Sequence, residues 1–285
     1  MRILETSYSE SDFRPRYKFN PVASSVAAMK TWTMKGWLLV MLCGAGVASA
    51  SEYPRVDAAL AECDARVAQM RAEFAKTPAA PPDKAWITAR LQHMVDVDQY
   101  VRRFTQEGFA RGFSAQENAI FGPRIAERMT AVDIANTAEL KTLLPASGWF
   151  GISEYGERAS TNAWLLIQHA DKDPQFQREI VKRLEPLAAT GEVKPSNYAL
   201  LFDRVALSFN DPDRRTLQRY GTQGQCTGPG TWAPFPVEDP GELDERRRSV
   251  GLMPEAEYQQ MFKDLCHEST EDSIRKAVEA AKAGH

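Results

Sequence analysis

Five consecutive apolar residues, Ala163-Trp164-Leu165-Leu166-Ile167, lie inside a helix expected over about 157–171. A helix that is apolar all round has no face to give to water, so it belongs at the centre of a fold with other helices laid against it. The segments on either side supply those helices. Val56, Leu60, Cys63, Val67, Met70 and Phe74 alternate at spacings of four and three, which makes one face of a helix over about 56–76. Thr77-Pro78-Ala79-Ala80-Pro81-Pro82 ends it. Further helices are expected from Asp83 to about Gln106, Pro123 to Leu144, Asp173-Pro174 to about Ala189 and Pro195 to about Phe209. Leu217 to Tyr220 reads as a short strand, Gly221 to Pro240 as a long Gly/Pro-rich loop, and two or three short helices follow, anchored by Leu252, Tyr258 and Phe262. The tail after Asp272 is rich in Ala, Lys and Glu and reads as a solvated helix or a frayed end. The fold class is therefore mainly α: one multi-helix domain over 51–285, with a long loop and at most one short strand pair.

Residues 1–50 read as something else. Met34-Lys35-Gly36, then Trp37-Leu38-Leu39-Val40-Met41-Leu42, then Ala48-Ser49-Ala50, are the basic, apolar and A-x-A parts of a secretion signal, in order. The apolar part is shorter than the roughly 20 residues that span a bilayer. Cleavage after Ala50, with no stable membrane anchor left, is the expectation. Cys43 is a poor lipidation site because the bulky Leu42 precedes it. Residues 1–33 fit neither signal nor domain, and Met29 or Met34 reads as a more natural start. The leader holds six Lys or Arg and three Asp or Glu, so the remainder carries a formal −6. An acidic chain lacks the cationic surface that non-specific nucleic-acid binding rests on, and no nucleic-acid partner is expected.

Export permits disulfides. Cys63, Cys226 and Cys266 follow the leader, and an odd count leaves at least one thiol unpaired within a monomer. Cys63 lies on the apolar stripe of the first helix and reads as a small buried hydrophobe. Cys226 lies in the Gly/Pro-rich loop, which needs fixing, so Cys226–Cys266 is the preferred bridge.

Ionisable groups on apolar faces are the best pointers to a site, because an unpaired buried charge is costly. Asp98 interrupts the stripe Ile87, Leu91, Met94, Val101, with Arg102 four residues on and within reach. His93 lies off that stripe and reads as solvated. Asn136, with Asp133 beside it, continues the inner edge of the next helix after Val132. Gln168 and His169 follow the five apolar residues, and His169 can move a proton near neutral pH. Asp203-Arg204 sits between the apolar runs Ala199–Phe202 and Val205–Leu207; neighbours in a helix point about 100° apart, so at least one of the two turns inward. Asp203 with His169 and Arg204 with Asp98 are the pairings considered.

The same residues carry a resemblance. Asp98-Gln99-x-x-Arg102, Gly148-Trp149, Gln168-His169-Ala170-Asp171, Asp203-Arg204, Tyr220-Gly221-Thr222-Gln223, Glu238-Asp239-Pro240 and Arg247-x-x-x-Gly251-Leu252 occur in that order. Over roughly residues 90–260 the chain resembles the bacterial family of domains of unknown function number 6624. That resemblance implies no reaction and no cofactor.

Several chemistries lack their signatures. The loop Gly221–Gly230 has neither the spacing nor the Lys-Ser/Thr of a phosphate-binding loop. G-x-S-x-G, H-E-x-x-H and paired Cys-x-x-Cys are all missing from the sequence. No metal or cofactor is therefore implied. Two functions remain. The first is a binding or scaffold protein of the cell envelope, with the polar residues as a buried network and an unidentified small molecule or envelope component as partner. The second is an exported hydrolase-type enzyme. There His169 is the acid or base, Asp203 or Asp98 orients it, and Arg102, Asp133, Asn136, Gln168, Arg204, Tyr220 and Gln223 contact substrate. Both require those residues, drawn from four helices and one loop, to converge.

Overall fold

A computed structural model describes residues 51–75, 83–105, 111–208, 216–263 and 266. The segments expected to be a secretion leader with its cleavage point and a C-terminal tail after Asp272 lie outside the described residues. Among the described residues six long helices come first: α1 (Pro54–Ala75), α2 (Lys84–Phe104), α3 (Ala115–Leu143), α4 (Ile152–Gln168), α5 (Pro174–Ala189) and α6 (Pro195–Ser208). A hairpin of β1 (Gly224–Gly228) and β2 (Thr231–Pro234) follows, then α7 (Leu243–Ser249) and α8 (Glu255–Gln260). The fold is mainly α with one short antiparallel strand pair. No helix among the described residues is long and apolar enough to cross a membrane.

The apolar run is central, as its composition requires. Helix α4 packs on α2, α3, α5 and α6. Ala163, Trp164, Leu166 and Ile167 are buried among Leu91, Met94, Leu140, Ile180, Leu184 and Leu201 from those four helices. The helix starts earlier than the spacing predicts, at Ile152, and bends at Gly156, whose φ of 80° is left-handed. That conformation favours glycine because a Cβ would crowd the following carbonyl oxygen. It also ends earlier, with His169 as C-cap rather than inside the helix. Pro174 cannot follow helical residues, and Asp173 instead caps α5 by accepting from the Phe176 N–H.

Two other elements differ from expectation. Helix α3 begins at Ala115, not Pro123, because Ser114 and Glu117 form a capping box that starts it eight residues earlier. Pro123 is carried inside the helix between the buried Phe121 and Ile125. Leu217–Tyr220 is not a strand; Gln218 makes a single parallel bridge to Val237, and the strand pair lies within the segment read as loop.

Helix α1 buries Val56, Leu60 and Cys63, and its stripe rises towards the surface at Val67, Met70 and Phe74. Phe74 stacks on His93 with ring centroids 4.7 Å apart. His93 is thus not solvated as expected: its Nε2 is buried and lacks a hydrogen bond. The hairpin forms a second small core, in which Trp232, Tyr258 and Phe262 pack around the Cys226–Cys266 disulfide. Cys63 is buried and takes no part in a disulfide.

Candidate functional site

The inward stripe of α2 carries Asp98, only 1% exposed, and Arg102 one turn later. The polar edge of α3 carries Asp133, and the end of α4 presents His169. These four side chains meet. Asp98 Oδ1 accepts from Arg102 Nε at 3.0 Å and lies 3.0 Å from His169 Nδ1. Asp98 Oδ2 accepts from Gln99 Nε2 at 2.7 Å. Arg102 Nη2 donates to Asp133 Oδ1, so one guanidinium joins carboxylates from two helices.

This arrangement sets the state of the imidazole. An ionised carboxylate only accepts, so the hydrogen between His169 and Asp98 belongs to Nδ1. The lone pair of the neutral ring is then on Nε2. That atom bonds to no described residue, and it is not shut off from solvent, the side chain being 16% exposed. Burial lowers the proton affinity of His169; Asp98 opposes this, while the charges of Arg102 and Arg204 add to it. Burial works against charge on Asp98 too, but the His169 and Gln99 hydrogen bonds and the Arg102 guanidinium outweigh it and hold the carboxyl below its usual range. Asp133 goes the other way. Burial, with the Asp98 charge, pushes it up to about 7 although Arg102 opposes the shift. Burial thus shifts two groups of one cluster in opposite directions, Asp133 up and His169 down, a pattern common at acid–base sites.

A second pair lies beside the first. Arg204 binds Asp171 through both arms of its fork, with Nε at 2.9 Å from Oδ1. Gln177, fully buried on α5, donates to Asp171 at 3.3 Å and to the Ile167 carbonyl at 2.9 Å.

The remaining candidates lie elsewhere. Asp203 does not reach His169. Its Oδ1 accepts the backbone N–H groups of Arg219 and Tyr220 at 2.8 and 3.1 Å, and its Oδ2 that of Thr222 at 2.8 Å. Burial raises its pKa, against the pull of these three amides. Arg204 pairs with Asp171 and not with Asp98. Tyr220 packs edge-on against Tyr198 and Phe202. Gln223 donates to Thr222 Oγ1 at 3.3 Å, and Asn136 to the Met94 carbonyl at 3.5 Å. Gln168 is buried on α4 and makes no side-chain hydrogen bond to a described residue. The single cluster expected from the sequence is thus two adjoining ion-pair groups and a separate bracket around residues 219–223.

Sequence reasoning passed over two buried groups and one half-buried carboxylate. Gln218, fully buried, accepts the Gln223 N–H at 2.7 Å and donates to the Gln223 and Phe235 carbonyls, both at 2.9 Å. Arg247, also fully buried, donates to the carbonyls of Tyr220 at 2.6 Å and Met253 at 2.7 Å and lies over the Tyr258 ring. Asp171 stands two residues after His169 in the sequence, but nothing there names Arg204 as its partner. Arg247 was legible as a member of a motif, though without a role.

Asp98, Asp133 and His169 also place one donor atom each within 4.8 Å of the others, a spacing a metal ion could use. A cation entering there would meet the Arg102 guanidinium, which already neutralises both carboxylates.

Comparison with known proteins adds a family and no activity. The pattern that matches residues 87–268 is that of the family of unknown function DUF6624. No curated protein and no solved structure matches the chain.

Proposed function

This chain belongs to the DUF6624 family, and we propose that it is an exported enzyme of hydrolytic type in which His169 moves the proton. One observation carries the reading: His169 Nδ1 is held by the buried Asp98 while Nε2 bonds to no described residue and the side chain is 16% exposed. His169 thus has one nitrogen anchored to a carboxylate and, as a neutral ring, one lone pair left to take a proton. In the proposed role Nε2 takes a proton from water or a substrate hydroxyl. Asp98 keeps the ring in the correct tautomer and stabilises the imidazolium that forms. Arg102 sets the distance between Asp98 and Asp133, and Asp133 can hold or release a second proton near neutrality. The leader sequence and the Cys226–Cys266 disulfide support export.

A second reading is a binding or scaffold protein of the cell envelope. Two features favour it. Asp98, Gln99, Arg102 and Asp133 satisfy one another within the fold. The surface depressions between α2 and α4, around Lys84, Gln92 and Arg158, and around Lys141 and Phe176, share no residue with the cluster.

The test is a panel of chromogenic ester, amide, phosphoester and glycoside substrates offered to the purified protein and to His169→Gln. Turnover of one linkage class is expected, falling by about 10²–10⁴ in a variant that still folds. Turnover equal in both proteins, or none by the wild type, refutes the enzyme and leaves the scaffold.

A further inference from the structure

His169 caps α4 from the turn that follows it, so the place of its ring depends on what holds that turn. The last carbonyl groups of a helix have no intrahelical donor. Here the His169 N–H donates to the Leu166 carbonyl at 3.3 Å, the Ala170 N–H to that of Ile167 at 3.0 Å and the Asp173 N–H to that of Ala170 at 2.9 Å. Two side chains from other helices then hold the turn from outside. Arg204 on α6 forks onto Asp171, in a pair whose side chains are about a third exposed. Gln177 on α5 is fully buried, and its amide nitrogen donates to the Ile167 carbonyl at 2.9 Å and to Asp171 at 3.3 Å. Water can reach the first of these latches and not the second.

The far end of Gln177 separates packing from positioning. Two acceptors face one end of the side chain, so that end is the NH₂ and the other is the carbonyl. This Oε1 is buried and accepts no hydrogen bond from a described residue. Both groups that Gln177 serves have another partner besides: the Ile167 carbonyl has Ala170, and Asp171 has Arg204. For packing alone, a methionine of the same length would serve better, because it would leave nothing polar unpaired. What the amide adds is a pair of donors that ties α5 to the turn carrying His169.

We propose that Gln177 is a positioning residue for His169: it fixes the turn after α4 so that the ring meets Asp98 through Nδ1 in one geometry. This rests on the reading of His169 as the group that moves the proton. Asp98 sets the tautomer only while Nδ1 stays within hydrogen-bond distance, now 3.0 Å. A turn free to shift lets that bond lapse, and the ring then populates both tautomers. Gln177 makes no hydrogen bond to the ring or to Asp98, so its effect passes through the Ile167 carbonyl and Asp171.

The experiment reads the ring nitrogens of His169 by ¹⁵N NMR at neutral pH, in the full-length protein labelled at histidine, with His169→Gln identifying the signals. The wild type should show a single Nδ1–H tautomer. Gln177→Met should melt no lower than the wild type and yet show a mixture of the two tautomers. Val181→Ala, one turn further along the buried face of α5, should lower the melting temperature and leave the tautomer alone, which separates position from stability. With a substrate from the panel above, Gln177→Met should lower kcat by about 10–100-fold at unchanged KM. A single Nδ1–H tautomer in Gln177→Met, a rate equal to that of the wild type, or failure of this variant to fold overturns the proposal. The two levels separate in the wild type. If its His169 is not the Nδ1–H tautomer, the enzyme reading and the role of Gln177 fail together. If the tautomer is fixed in the wild type and lost in Gln177→Met, but no substrate turns over, Gln177 positions the ring and only the enzyme reading fails.

Discussion

Replacing Asp203 should separate a structural carboxylate from a catalytic one. Its two oxygens receive three backbone N–H groups, from Arg219, Tyr220 and Thr222, at 2.8–3.1 Å. The side chain is fully buried, so water does not stand ready to replace it. From the other side Arg247, equally buried, donates to the Tyr220 carbonyl. The peptide groups of residues 219–222 thus lie between a carboxylate that binds their N–H groups and a guanidinium that binds a carbonyl. Asp203→Ala leaves three donors without an acceptor. At about 1–3 kcal/mol for each unsatisfied buried group, and allowing for relaxation, the loss should be about 3–6 kcal/mol. A domain is stable by about 5–15 kcal/mol in total, so this variant should be close to unfolding. Asp203→Asn keeps one good acceptor but turns an amide NH₂ towards at least one donor, and should lose about 1–3 kcal/mol. Urea denaturation followed by tryptophan fluorescence measures both. Hydrogen exchange at the amides of Arg219, Tyr220 and Thr222 localises the effect, since those three should accelerate most. If Asp203→Ala lies within 1 kcal/mol of the wild type, or those amides exchange as before, the carboxylate does not hold this loop and the reasoning fails.

Other predictions concern the cluster, the disulfide and the bend in α4. Asp133 has a folded pKa of about 7 against 3.8 for the unconstrained group. Its contribution to stability is therefore complete below the unfolded value and is lost as pH rises through 7. The wild type should be less stable at pH 8.5 than at pH 5.5, by up to about 2 kcal/mol from this group, and Asp133→Asn should flatten the profile in denaturation at the two pH values. Substituting both Cys226 and Cys266 by Ser opens a link spanning 40 residues. Chain entropy sets the loss at no more than about 4 kcal/mol, read as a lower urea midpoint, and a reducing agent should reproduce it in the wild type. Gly156→Ala forces an L side chain into φ 80° and should cost on the order of 1 kcal/mol; a rise in melting temperature would contradict the assigned bend.

Sequence alone determined where most helices lie and which faces they bury. The run Ala163–Ile167 required a central helix because an element without a polar face has nowhere else to go. Asp98 and Arg102 were legible as a pair because both lie on one helix, and a spacing of four residues brings them together whatever the rest of the chain does. The Cys226–Cys266 bridge was legible for a related reason: the odd count narrowed the partners, and the loop needed an anchor. Tertiary structure alone decided which partners cross between elements. Asp203 and Arg204 are adjacent, yet one turns to the amides of residues 219–222 and the other to Asp171. Helical periodicity gives the direction of a side chain around its axis, whereas the partner depends on how helices cross and where a loop passes. Those positions are set by the packing of the whole core. Gln218 and Arg247 were hidden more deeply, because they bind backbone groups. Nearly every residue carries an N–H and a C=O, so a sequence bears no mark of the ones a side chain will meet.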